Sequence, residues 1–424
     1  MRGRLTSAGL GLIGALLVAS PAAAAPTVDG EFALPAGQTV GSNNEIVAGP
    51  DGNVWVTTEQ NAVVRIKPDG TVEGPFSTVN SVTGITAGPD GNLWVSTAIG
   101  VRRIPPSDPA NGTSFDVGIA NGAGITTGPD NRLWVVGGDE LVSFTTADPA
   151  GSADSTPITG MSPRGMATGS DGLIWIADNS GRIISASAAA TPTVTPYLVG
   201  GGPQDVAAGP NAQVAYANPG DSPHEVGLIS PGGTPQQIPL ETSDPFGVAL
   251  GADGAYWVAR SSTDDLLRLA PDGTTTKLTG FSNAANVGPR KITVGPNNTL
   301  WVTLDDQEKV ARVTGVEPPG SGNGNGNGET TIDKGPKRKV KTSRKKAKVK
   351  FKFSSSEPTA TFECALKRPR KQADKAPATF KPCTSPRTYR LKPGKYTFQV
   401  RATVGGVTDE TPARQKFKIV RVDD

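Results

Sequence analysis

Three features of this sequence predict an all-β chain: a seven-bladed β-propeller followed by a small disulfide-bonded β-sandwich. The first is a short motif, two apolar runs around a Gly-Pro-Asp-Gly type of turn, written seven times. Its leading glycine falls at Gly49, Gly88, Gly128, Gly169, Gly209, Gly251 and Gly295. The second is register, because all six tryptophans sit six residues past one of those glycines, at Trp55, Trp94, Trp134, Trp175, Trp257 and Trp301. Only the fifth copy departs, with Ala215 at that position and Tyr216 beside it. A period near 40 residues with several strands per unit is the mark of propeller blades. The third is composition: 53 Gly and 37 Pro among 424 residues favour turns and short strands over long helices.

Residues 1–24 read as an export signal. Arg2 and Arg4 lead an apolar stretch from Ala8 to Val18, and small residues follow, with cleavage expected after Ala24. The stretch is too short to span a bilayer, which needs ~20 apolar residues, and no later segment is apolar enough. A secreted or envelope-associated protein without a membrane span is expected. The propeller is assigned to 25–317. In the second copy, Ile85–Ala87 is an inner strand, Gly88–Gly91 the turn, Leu93–Ser96 the second strand and Val101–Ile104 the third. Thr71–Phe76 is a fourth strand in the first copy. Such a blade cannot bury both faces alone, so the repeated tryptophan is read as packing between neighbours. The seventh copy stops without an outer strand, while residues 28–34 precede the first copy with no blade of their own. Residues 28–34 are therefore expected to close the last blade.

Residues 318–336, rich in Gly and Asn, are assigned as a flexible linker that includes the start of a basic arm. Residues 337–424 carry short β-type runs at 348–354, 360–366, 395–403 and 415–420 and form the second module. Cys364 and Cys383, the only cysteines, are expected to pair outside the cytoplasm, which would stabilise the module by roughly 3 kcal/mol. Charge is sharply divided. From Lys334 onward there are 26 basic and 7 acidic residues, and the rest of the chain is correspondingly acidic. Such a module suits an anionic wall polymer, an acidic polysaccharide, nucleic acid or the propeller's own acidic surface. Nucleic acid is the weakest of these, because no aromatics interleave the basic run. A solvated arm with no dedicated partner is the plainer alternative.

The string from Gly49 to Gly70, Gly-Pro-Asp-Gly-Asn-Val-Trp-Val-Thr-Thr-Glu-Gln-Asn-Ala-Val-Val-Arg-Ile-Lys-Pro-Asp-Gly, resembles the repeat of the streptogramin B (virginiamycin B) lyases. The resemblance covers roughly residues 28–316. It implies a seven-bladed propeller with a magnesium ion held by glutamates near the channel. It also implies a histidine base that removes a proton α to a carbonyl, so that a cyclic depsipeptide opens by elimination. Glu59 is a near match to the family's glutamate, displaced by one position, and no Glu-x-His pair exists in the chain. The tail, with Phe362-Glu-Cys364, Phe380-Lys-Pro-Cys383 and Gly394–Ala402, resembles the disulfide-bearing Ig-like modules of secreted bacterial proteins, which implies an accessory or adhesive role.

Propeller geometry places the loops between second and third strands on one face with the inter-blade loops. That face is expected to gather Glu59, Asp139, Glu140, Asp178, Arg164, Arg260 and Arg290 as ligand-binding residues, with Asp205 and Lys291 nearby. Asp264-Asp265 and Asp305-Asp306 are candidate ligands for Mg²⁺ or Ca²⁺, which prefer oxygen donors. His224 and Glu225, in the enlarged loop of the fifth copy, are the candidate catalytic pair. Two functions follow: an exported binding protein whose basic module engages an anionic polymer, or a divalent-metal-dependent lyase or hydrolase at the channel mouth. A protein-docking platform is a third. Whether the chain is an enzyme, and whether any cofactor is bound, the residues leave open.

Overall fold

The computed structural model describes residues 25–422, apart from 42, 79, 221–223, 241–243, 272, 283–285, 318–329, 356–359, 368–378, 405–406 and 409–411. The expected signal at 1–24 and most of the glycine-rich tether lie outside the described residues. Among the described residues, seven four-stranded antiparallel sheets follow one another along the chain, each consistent with a propeller blade. In the second sheet the order is Val82–Ala87, Leu93–Thr97, Ile99–Ile104 and Thr113–Ala120. The second strand is the most protected element of every sheet, which follows from its sequence: Leu93, Trp94 and Val95 are all fully buried.

The seventh sheet is made from both ends of this region. Pro289–Val294, Leu300–Leu304 and Lys309–Thr314 supply three strands, and Thr27–Ala33 pairs antiparallel with Lys309–Thr314 as the fourth. Phe32 packs at 5.6 Å from Trp301, with Arg312 stacked on both rings. Asp29 holds Arg312 at 2.7 Å and Glu31 holds Lys309 at 2.9 Å. Burial works against the Glu31 charge, but hydrogen bonds from Ser282 and Lys309 hold its carboxyl below the usual range.

The tryptophans pack between sheets. Trp55 lies with Val82, Ile85, Leu93 and Val95 of the second sheet, and Trp301 of the seventh lies with Val54, Val56 and Val64 of the first. Each indole needs a partner for its N–H once water is excluded. The turn aspartate supplies it: Asp51, Asp90, Asp130 and Asp253 accept from the indole four residues on at 3.1–3.2 Å. In the seventh sheet Asn297 replaces that aspartate, and Thr299 accepts instead at 2.8 Å. The fifth sheet, which lacks the indole, borrows a ring from its neighbour. Over Gly49 a side-chain Cβ would meet Trp55, whereas over Gly209 it would meet the Tyr256 hydroxyl. Tyr256 thus fills the space of the missing tryptophan, and burial pushes its phenol up to about 12.

The C-terminal module consists of a three-stranded and a six-stranded arrangement around one aromatic core of Phe351, Phe353, Tyr396, Phe398 and Phe417. Cys364 and Cys383 are disulfide-bonded with Cα atoms 5.8 Å apart. The linker assigned to 318–336 contains structure at its end, since Thr330–Lys334 is a strand paired with Ala347–Ser355. Much of the basic run is also strand, at Lys339–Thr342 and Ala347–Ser355. In the latter every second residue, Ala347, Val349, Phe351 and Phe353, is buried, so its lysines are the outward half of a pleated strand.

Candidate functional site

The inner strands surround a channel. A cavity of about 340 Å³ is lined from all seven sheets, including Ile46, Ile85, Ile125, Met166, Val206, Val248 and Ile292. Above it lies a mouth cavity of about 390 Å³, lined by residues of the inter-sheet loops such as Asn43, Asn121, Ser162 and Arg164, together with Glu45 and Lys291. Glu45 borders both spaces.

One level of the channel carries charge, and the repeat explains how. Four residues before each anchor glycine stand Glu45, Gly84, Gly124, Gly165, Asp205, Gly247 and Lys291. The four glycines are required by close approach: a Cβ there would run into Ala123 O, Arg164 O, the Asp205 carboxylate or Arg290 O. The three exceptions find one another. Lys291 Nζ lies 2.7 Å from Glu45 and 3.8 Å from Asp205, and its side chain is 3% exposed. Burial alone would release the Lys291 proton; the charges of Asp205 and Glu45 outweigh this and hold its pKa above the usual lysine value. Asp205 also accepts from the backbone N–H groups of Val206 at 3.0 Å and Val248 at 3.2 Å. Burial nevertheless pushes its carboxyl up to about 7, against the pull of Lys291 and with the push of Glu45. The cause is stoichiometric: one carboxylate, Glu45, neutralises the ammonium, and the second is a surplus charge out of water.

That shift has a sign. An unfolded chain gives up this proton near pH 3.9, whereas the folded chain keeps it to about 7. Across that window unfolding releases a proton, so this group's contribution to stability falls as pH rises, and it is constant below about 4 and above about 7. Asp205→Asn removes the surplus charge while keeping the acceptor oxygen. It is expected to add about 1–3 kcal/mol at pH 8 and almost nothing at pH 4. Thermal melts of both proteins from pH 4 to 8 check this, and a pH-independent offset would contradict it.

Of the ligand-binding residues expected from the sequence, Arg164 lines the mouth cavity. It donates to Pro163 O at 3.2 Å, and its Nε is buried with no hydrogen-bond partner among the described residues. The others are engaged locally. Asp178 is fully buried and accepts from Ser162 N, Ser180 and Arg182; against the effect of burial, these bonds hold it below the usual range. Arg260 is clasped by Asp265 at 2.6 Å. Arg290 is bound to Asp305 and stacked 4.4 Å from the Phe246 ring centre. Asp139 accepts from Met161 N, Glu140 from Ser155, and Glu59 from Thr39.

The candidate catalytic pair sits at the start of the His224–Ile229 strand. His224 contacts Pro219 O through Nδ1 at 2.6 Å and Asp244 through Nε2 at 3.4 Å. Glu225 is buried inside its own sheet, accepting from Asn218 and Gln237 at 3.0 Å each. Neither borders the mouth cavity. The two aspartate pairs do not converge as a metal cage either. Asp264 caps the backbone N–H groups of Asn286, Val287 and Gly288, and Asp265 and Asp305 each hold an arginine. Asp305, Asp306 and Glu59 instead share the seam between seventh and first sheets. There burial first, and then these like charges, raise the pKa of Glu308.

A divalent cation held by glutamates, as the family resemblance implies, does not fit these residues. The two channel carboxylates close on an internal ammonium, and among the described residues no three His, Cys, Asp or Glu side chains group to hold a metal. Sequence reasoning missed Glu45 altogether and did not assign Asp205 or Lys291 a role. Their signal was the departure from glycine at one fixed position of the repeat.

Among the described residues no helix is long and apolar enough to cross a membrane. Comparison with known proteins places the chain among propellers. It is 33% identical over 75 residues to a virginiamycin B lyase of Nocardia farcinica, a match spanning 18% of this chain and a quarter of that relative. The structure of a virginiamycin B lyase from Staphylococcus aureus is similar at a TM-score of 0.58 and 19% identity, over 68% of this chain and 99% of that one. The extracellular domain of a hybrid two-component system from B. thetaiotaomicron is similar at a TM-score of 0.53 and 12% identity, over 94% of this chain and 58% of that one. That neighbour and the disulfide are compatible with export. The model of the virginiamycin B lyase family matches residues 25–185 and 152–318, and the chain belongs to that family.

Proposed function

We propose that this chain is an exported binding protein that takes a small carboxylate-bearing ligand at the mouth of a closed, seven-bladed propeller. Its basic, Ig-like C-terminal module engages an anionic polymer of the envelope. The observation that carries the ligand reading is Arg164, whose Nε is buried and unsatisfied at a 390 Å³ cavity. A buried guanidinium edge without an acceptor is costly, and a carboxylate supplies the acceptor in the geometry a guanidinium prefers. Lys291, which also lines the cavity, is paired with Glu45, so Arg164 is the cation there with no carboxylate partner among the described residues. Closure of the ring is supported by the pairing of Thr27–Ala33 with the seventh sheet and by the packing of Trp301 on the first.

The second reading, a metal-dependent lyase, is favoured by family membership. It requires a histidine base and a cation at the channel, and His224 and the carboxylates are committed elsewhere. The test is a thermal-shift and calorimetric screen of small mono- and dicarboxylates and cyclic depsipeptides, with Mg²⁺ or with a chelator. We expect saturable binding of a carboxylate that stabilises the fold by about 2.7 kcal/mol at a hundred times Kd, indifferent to chelation and weakened at least tenfold by Arg164→Met. Mg²⁺-dependent ring opening of a depsipeptide, seen by chromatography, would overturn this in favour of the lyase.

A further inference from the structure

The six-stranded arrangement of the C-terminal module carries a ladder of like charges. Lys339 on Lys339–Thr342 stands directly opposite Lys418 on Ala413–Arg421, and Lys418 stands directly opposite Lys395 on Gly394–Val404. All three are exposed, while their neighbours Tyr396, Phe417 and Ile419 are buried beneath them. Lys341 and Lys416, one pleat along, are exposed on the same face. None of the five forms an ion pair among the described residues. The carboxylate on the outer face of Thr361–Lys367, Glu363, is held by Arg401 at 2.7 Å.

Like charges directly opposite on neighbouring strands destabilise a sheet. A rung of three lysines at the ~4.8 Å strand spacing, extended at the ~6.7 Å two-residue repeat by Lys341 on Lys339–Thr342 and Lys416 on Ala413–Arg421, is thus an array of cations anchored to one sheet without internal compensation. From this array we infer that the face is the docking surface for a linear polyol-phosphate polymer, whose charges lie along the rung and the strand repeat. The inference rests on the reading that the basic module binds an anionic polymer, and it says where and which. Lysine offers a compact point charge suited to successive phosphates, whereas bidentate carboxylate recognition favours arginine, which the rung lacks. No aromatic ring faces outward between the lysines, so neither bases nor sugar rings have a surface to stack on. The match is one of charge complementarity over a rigid sheet.

The test compares two charge-matched triple variants of the full chain binding poly(glycerol phosphate), by calorimetry between 50 and 200 mM salt. One removes the ladder (Lys339→Gln, Lys395→Gln, Lys418→Gln). The other removes three cations from the turn before Ala347–Ser355 (Arg344→Gln, Lys345→Gln, Lys346→Gln). The ladder variant is expected to bind at least tenfold more weakly, with a salt slope reduced by about three, and to melt higher than the parent because its repulsion is gone. The turn variant is expected to lose no more than about threefold. Equal losses in both would overturn the ladder while leaving polymer binding by the module intact. Tighter binding of polygalacturonate or of single-stranded DNA than of poly(glycerol phosphate) would overturn the occupant. No binding by the parent at 50 mM salt would overturn the polymer reading together with the ladder.

Discussion

Lys291→Met is expected to lower the melting temperature of the propeller by about 10 °C at pH 8, from a loss of roughly 3–5 kcal/mol. The side chain is 3% exposed, with Glu45 on one side and Asp205 on the other. Methionine fills most of its volume, so the loss is electrostatic rather than a matter of packing. Without the ammonium, two carboxyl groups share one level of the channel, and each must hold a proton or remain charged without a partner. Protonation is easy at low pH, so the defect should shrink toward pH 4. The lysine itself is charged throughout this range, because its folded pKa is raised and its stabilisation is lost only as pH rises past about 10. Adding Glu45→Gln and Asp205→Asn to Lys291→Met should recover most of the loss, since a fully neutral cluster carries no unpaired charge. Calorimetry of the three proteins at pH 4 and 8 decides. An unchanged melting temperature for Lys291→Met at pH 8 would show that the three charges are not coupled.

Removing residues 25–34 should have a still broader effect. Thr27–Ala33 is the outer strand of the seventh sheet, and without it Lys309–Thr314 becomes a bare edge with its backbone groups unpaired. The same deletion takes Phe32 from Trp301 and Arg312, and strips Arg312 and Lys309 of Asp29 and Glu31. We expect a fall in melting temperature of more than about 15 °C, together with dimers or larger species by light scattering as exposed edges pair between molecules. A peptide of residues 25–36 added in trans should restore the monomer, because strand addition needs only a free edge and a matching register. A truncated protein that stays monomeric and melts within about 3 °C of the parent would contradict this account.

The repeat was legible because burial is periodic. A tryptophan six residues past six of the seven glycines can be counted in one dimension, and each of those sheets packs it against the next. The role of the turn aspartate as indole acceptor was present in the same motif, but a Gly-Pro-Asp-Gly turn explains itself and conceals a second use. The fifth copy shows a deeper limit. That Tyr256 stands in for a tryptophan missing from the preceding sheet is a fact about neighbours, with 46 residues between Gly209 and Tyr256 in the chain. The charge cluster is the same kind of fact. Glu45, Asp205 and Lys291 come from the first, fifth and seventh sheets, and only the angular arrangement of those sheets shows that an ammonium reaches two carboxylates. Adjacent acids such as Asp264-Asp265 misled for the converse reason. Nearness in sequence puts successive side chains on different partners, here backbone N–H groups for Asp264 and Arg260 for Asp265. In the tail, 348–354 was legible as a strand and buries Val349, Phe351 and Phe353, whereas the strand Lys339–Thr342 was hidden because the run before it was read by its charge alone.

The pairing of the two ends of the propeller also dictates an order of events. Arg312 meets Asp29 across 283 residues of sequence, so the last sheet cannot be finished until almost the whole propeller has been synthesised and brought together. Contacts of such separation form late and slowly, and the amino-terminal segment must wait, unpaired, while the intervening sheets assemble. Completion of that sheet is therefore a built-in test of chain integrity: a molecule cut short before residue 309 has nothing for its first strand to join.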